Sequence, residues 1–278
     1  MYKFLIILGC ILCLAQNATA QTAPKTDSEN ESAVTQNTQK NNAKSADTKK
    51  ADTKESADDG EEDDDEDEIN WKKITPEEVE KLIKDGELKV DEYDYLGRTP
   101  LMNAAAECAK PEVLKKLIDN SADVNFYPPT DNPEAALATS ALFMASTCSL
   151  DVVKTLVKSG AAINVYGEMG MSLLMNYAAN AEDSKILSYL IKKGANVRDL
   201  DADGNHVLMY AIMNKTSAHK MIDTLLKKGV DINMLGVTPQ NETFSVLDFA
   251  EKHGLDADAI KYLREKGAKH AAELYQGI

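Results

Sequence analysis

Few residues of this chain have the type and spacing that chemistry requires. Six residues, Asp199-Leu200-Asp201-Ala202-Asp203-Gly204, open like a calcium-binding loop, three carboxylates alternating before a turn glycine. The twelfth position of such a loop must supply a bidentate glutamate, and here it is Tyr210. His206, His219, His253 and His270 are scattered, and none stands at ligand spacing from a cysteine or carboxylate. No phosphate-cradling glycine loop, nucleophile elbow or Cys/His dyad is present. Cys108 and Cys148 could form a disulfide or remain thiols. The expectation is therefore a chain that is not an enzyme and holds no cofactor.

The elements that position these residues recur. Asp94–Asn125 reads DYLGRTPLMNAAAECAKPEVLKKLIDNSADVN. Leu101, Ala104 and Ala105 make one apolar helical face, and Val113, Leu114, Leu117 and Ile118 make a second. Lys110-Pro111 separates them, because the residue before proline avoids the helical region. Gly97 permits a tight turn ahead of the cap and first turn at Thr99-Pro100. Two helices of about ten residues cannot bury both faces alone.

The same frame returns four times. SALFMA precedes DVVKTLVKSGAAIN, SLLMNYA precedes KILSYLIKKGANV, GNHVLMYA precedes MIDTLLKKGVDIN, and SVLDFA precedes AIKYLREKGAK. Gly160, Gly194, Gly229 and Gly267 close the second helix of each of these copies. This composite motif closely resembles the ankyrin repeat over roughly Thr75–Lys269. The resemblance implies an all-α fold, an ankyrin-repeat solenoid with hairpin fingers. Repeats run at about 94–126, 133–166, 167–199, 201–233 and 241–270, within a domain spanning 69–278. Residues 69–93 read as a cap, with a capping box at Thr75-Pro76-Glu77-Glu78 and Trp71 covering the missing first helix. The sequence departs from the family pattern at the histidine after the motif leucine, which is absent, and in keeping Thr-Pro only at Thr99-Pro100.

Such arrays bind other proteins through fingers and concave groove, so the resemblance implies a protein partner of unknown identity. In them the second residue after each motif leucine faces the groove. Asn103, Met144, Asn176, Tyr210 and Phe249 would form that strip, with Tyr95, Tyr166, Met169 and Met234 on fingers above it. The preceding residues Met102, Phe143, Met175 and Met209 are expected in the core. His206 replaces the motif threonine and is expected to serve the turn. Equivalent positions of stacked repeats lie roughly 8–10 Å apart, beyond the roughly 7 Å a disulfide tolerates. Small buried thiols are therefore the expected state of Cys108 and Cys148, with a bridge only where a local offset helps. Two fingers are enlarged, Tyr127–Ala138 and Met234–Thr243; insertions of this kind either line a binding face or drift at little cost.

The flanking sequence has a different character. Residues 1–20 carry Lys3, the apolar run Phe4–Leu14 and the small-x-small site Ala18-Thr19-Ala20, the layout of a secretory signal. Leu8-Gly9-Cys10 resembles a lipobox, but cleavage there would leave the greasy stretch ILCLA on the product. The expectation is export to a periplasm or the outside, with no stable membrane insertion after signal removal and a monomeric product. Residues 21–68 are polar and end in the acidic run Asp58–Glu68, a composition that cannot offset its ordering entropy and is expected to be disordered. Of the formal charge of −15, most belongs to this segment. Nucleic acid is excluded as a partner for want of a basic patch. A structural or cation-collecting role for the acidic segment is the alternative to protein binding.

Overall fold

The computed structural model describes residues 69–127 and 139–275. The proposed signal, the acidic segment and most of the Tyr127–Ala138 finger lie outside these residues. Among the described residues twelve helices run in order as α1 Pro76–Asp85, α2 Pro100–Ala106, α3 Pro111–Asp119, α4 Ala141–Met144, α5 Leu150–Lys158, α6 Leu173–Asn180, α7 Lys185–Lys192, α8 Val207–Ile212, α9 Ala218–Lys227, α10 Val246–Lys252, α11 Ala257–Glu265 and α12 Ala271–Tyr275. A 3-10 turn, Ala145–Thr147, continues α4. None of the described helices is long and apolar enough to cross a membrane.

Each repeat contributes one inner and one outer helix, the outer being the longer except in repeat three, where both have eight residues. The inner helices α2, α4, α6, α8 and α10 pack in succession, and so do the outer helices α1, α3, α5, α7 and α9. Between the rows lies one apolar core running the length of the array, in which Leu101, Leu142, Leu174, Leu208 and Leu247 are all buried. Trp71 is buried at the amino-terminal end, where the capping unit lacks an inner helix. The capping box expected there is formed: Thr75 accepts from the Glu78 amide and Glu78 from the Thr75 amide.

Thr99, Ser140, Ser172 and Ser245 cap their inner helices by accepting the amide three residues on. His206 does not. It is fully buried, without a capping bond, and no well-formed hydrogen bond reaches either ring nitrogen among the described residues. The expectation that it serves the turn is corrected: the ring fills core space and leaves the cap unmade.

The outer helices of repeats two to five close on left-handed glycines such as Gly194 (φ 100°). In repeat one Ser121 occupies that place with φ 76°, a conformation that costs a residue with a Cβ roughly 1–2 kcal/mol. Beyond it, an asparagine in the second, third and fifth fingers joins consecutive repeats. Asn125 donates to the Gly160 carbonyl (3.0 Å) and accepts from the Ala162 amide (2.8 Å). Asn164 does the same with Gly194 and Asn196, and Asn233 with Gly267 and Lys269. At the corresponding position of repeat three stands Arg198.

At the carboxyl end Asp248 accepts from the Ser245 and Ala271 amides and from His270 Nδ1 (2.7 Å), fixing α12 to the last repeat.

Candidate functional site

Successive fingers touch one another along one edge of the array. Tyr93 of the first packs on Phe126 of the second, ring centroids 5.8 Å apart. The Tyr127 hydroxyl donates to the Tyr166 carbonyl of the third at 3.0 Å. The Tyr166 hydroxyl in turn lies near enough to the Asp199 carboxylate of the fourth for its charge to act on the phenol. The Ala202 amide donates to the Met169 carbonyl at 2.7 Å. Fourth and fifth fingers meet backbone to backbone, because Gly204 lies where a Cβ would fall 1.9 Å from the Val237 carbonyl oxygen. Only glycine permits that approach.

The fourth finger is organised by the middle carboxylate of the calcium-like hexapeptide. Asp201 is buried and accepts from the Asp203 and Asn205 amides, the Asn205 side chain and the Tyr210 hydroxyl (2.6 Å). Its oxygens are committed to the turn. Asp199 is held above the usual carboxylate range by burial, against the pull of Tyr166 and Asn196. The neighbouring Asp199 charge, more than burial, raises the Tyr166 hydroxyl. Among the described residues no group of three or more metal-binding side chains comes together.

The fifth finger forms a two-stranded antiparallel hairpin, β1 Gly236–Val237 and β2 Thr243–Phe244, pairing Gly236 with Phe244 and Val237 with Thr243. Its turn places Asn241 at φ 63°.

The groove strip expected from the sequence is interrupted. Asn103, Met144 and Tyr210 are half-buried, whereas Asn176 and Phe249 are buried, 4% and 3% exposed. Asn176 turns its amide to the Phe143 carbonyl of the previous repeat (2.8 Å) and receives Asn180 on its own oxygen. Phe249 packs against the His253 ring one turn on, centroids 4.2 Å apart. Both side chains are spent on the fold, so they are corrected from groove residues to core. Of the residues expected in the core, Met102, Met175 and Met209 are buried, but Phe143 is half-buried with its ring against Gly167.

The expected finger residues fare differently. Tyr95 is 74% exposed, Met169 56% and Tyr166 46%, while Met234 is half-buried. Sequence reasoning missed Tyr93, Tyr127, Leu200 and Val237, which are exposed on the same fingers. Tyr127 could have been found from its register, two residues after the connecting Asn125. Tyr275 is the one exposed large apolar side chain among the described residues that lies off this edge.

Cys108 and Cys148 form a disulfide, with Cα atoms 5.1 Å apart. The expectation of separate thiols is corrected. The two cysteines are one position out of register, seven residues after Leu101 and six after Leu142, and Cys108 takes a left-handed conformation (φ 58°) after α2, so the spacing of equivalent positions does not apply to them. The bond joins the inner-helix ends of repeats one and two.

Comparison with known proteins gives this geometry a family. The 78 residues matched in the phosphocholine transferase AnkX of Legionella pneumophila are 30% identical and make up 28% of this chain. The chain spans only 8% of that relative's length. The predatory endopeptidase Bd0816 of Bdellovibrio bacteriovorus in complex with the immunity protein Bd3460 contains a chain superposing with a TM-score of 0.55 at 25% identity. That match covers 68% of this chain and 92% of the other. The family described as ankyrin repeats (3 copies) matches residues 72–167 and again 142–236. With more than half of its length so matched, the chain belongs to the ankyrin-repeat family.

Proposed function

We propose that this protein is exported and acts by binding another protein along its finger edge and the adjoining half-buried groove, without catalysing a reaction. The observation that carries the reading is the continuous row of touching fingers that presents Tyr95, Tyr127, Tyr166 and Met169 to solvent. Exposed tyrosine and methionine are enriched where proteins meet, because they offer large contact areas at small entropic cost. A surface built from hairpins locked edge to edge also loses little freedom on binding. Two features support export: the signal-like residues 1–20, and a disulfide, which persists in oxidising compartments.

The similarity to a chain from an endopeptidase–immunity protein complex favours a narrower form, in which the partner is a hydrolase of the same compartment held inactive by this protein. The test compares the wild-type chain with a Tyr95→Ser/Met169→Asn variant as bait in the native compartment; asparagine suits the left-handed backbone of Met169 (φ 53°). A partner retained by the wild type and lost by the variant is the expected result. Assay of that partner with and without this protein then decides between inhibitor and scaffold. Equal capture by both baits would refute binding through the fingers.

A further inference from the structure

The charge of the described residues is not evenly spread between fingers and helices. The five finger segments, 86–98, 120–127, 159–171, 194–205 and 229–244, hold eleven acidic side chains, among them Asp91, Glu168, Asp203 and Glu242, against the basic Lys89, Arg98 and Arg198. The remaining described residues, mostly helical, hold twenty-one basic against seventeen acidic side chains. The outer helices end in Lys84, Lys116, Lys158, Lys192, Lys227 and Arg264, on the last turns where cations meet the carbonyl end of the helix. A mildly acidic domain is thus divided into a strongly acidic edge and a mildly basic body. The exposed aromatic and thioether side chains other than Tyr275 lie on the acidic edge.

We infer that the finger edge is built for a partner surface rich in lysine and arginine, with apolar side chains interspersed. This rests on the protein-binding reading and adds the partner's chemistry to it. Cationic side chains satisfy the edge in two ways at once, since ammonium and guanidinium groups pair with the carboxylates and also stack on tyrosine faces. A partner with an acidic surface would meet like charge along all five fingers, which suppresses association. The acidic run Asp58–Glu68 has the same sign.

The exposed carboxylates make the test clean. Asp91, Glu168, Asp203 and Glu242 are exposed, so Asp91→Asn/Glu168→Gln/Asp203→Asn/Glu242→Gln alters the field of the edge without breaking a turn. The probes are two dodecapeptides, one repeating Lys-Leu-Arg-Tyr and one repeating Glu-Leu-Asp-Tyr, titrated into the isotopically labelled full chain and followed by amide chemical shifts. The expected result is saturable movement of finger amides with the cationic peptide alone. Its affinity should fall on the order of tenfold in the four-site variant, and again between 50 and 500 mM salt. Movement confined to residues 58–68, or equal binding of the anionic peptide to the fingers, would overturn the inference. Silent fingers with both peptides would also overturn it. In that case the bait experiment separates the two readings: a native partner still lost by Tyr95→Ser/Met169→Asn leaves protein binding standing without the cationic chemistry. A partner retained by that variant removes both.

Discussion

Replacing His206 with threonine restores the family's helix cap and removes a buried titrating group, and the two effects separate by pH. Burial pushes the His206 ring down from 6.5 to about 4; the Met234 backbone and the Asp201 carboxylate pull the other way without offsetting it. The folded protein therefore keeps the ring neutral across a range where the unfolded chain protonates it. The stability tied to this residue is fully present above pH 6.5 and is lost as pH falls towards 4. Between pH 7.5 and 5.0 that loss amounts to about 2 kcal/mol, from the two pKa values by linkage. At pH 7.5 the substitution itself should be nearly neutral. A threonine cap contributes about 1 kcal/mol, and the volume vacated by the ring costs a similar amount, roughly 1 kcal/mol. The assay is guanidinium denaturation of wild type and His206→Thr at pH 7.5, 6.0 and 5.0 at constant ionic strength. Burial also lowers His253, but that contribution is common to both proteins and cancels in their difference. The variant should be close to wild type at pH 7.5 and more stable by about 2 kcal/mol at pH 5.0. Parallel losses in the two proteins would refute the argument.

Three further outcomes follow from the fold. Breaking the Cys108–Cys148 bond, which closes 40 residues, should cost up to about 4 kcal/mol by loop entropy. Dithiothreitol should lower the unfolding midpoint of the wild type and leave a Cys108→Ala/Cys148→Ala variant unmoved. Ser121→Gly should raise stability by about 0.5–1 kcal/mol, since it relieves a left-handed side-chain residue and gives back part of the gain as unfolded-state entropy; a lowered denaturation midpoint would count against it. Asn164→Ala should cost about 1–3 kcal/mol by leaving the Gly194 carbonyl and Asn196 amide without their cross-repeat partner. Faster amide exchange in the fingers of repeats two and three would report it.

The repeat architecture was legible because each copy carries its own period. A motif leucine recurs in all five copies, and a capping hydroxyl and a closing glycine in four each, and a solenoid core needs little more than that. The site was less legible, because a register rule gives the direction of a residue but not its depth. Asn176 and Phe249 occupy groove positions by register, yet one donates to a neighbouring repeat's carbonyl and the other packs on the histidine that ends its own helix. Neither partner is implied by spacing. The cysteines were misjudged for a related reason. The helix-packing distance holds for equivalent residues in regular geometry, whereas the two cysteines are one position out of register and Cys108 takes a positive φ. His206 is the converse: its substitution at a cap position was visible, but spacing gave no sign that the ring would be fully buried.

The covalent link between the first two repeats also changes what can be done with the chain as a thread. A bond closing 40 residues removes about 130 Å of contour length from the extended polypeptide, at roughly 3.3–3.6 Å per residue. Pulled from its ends, the oxidised protein should give up its last three repeats at full length and stop short of opening the loop between the cysteines. The same loop prevents passage in single file through a narrow pore, because three strands of chain would have to enter side by side. If the protein is exported, both cysteines must cross before they meet, and their joining makes the crossing one-way.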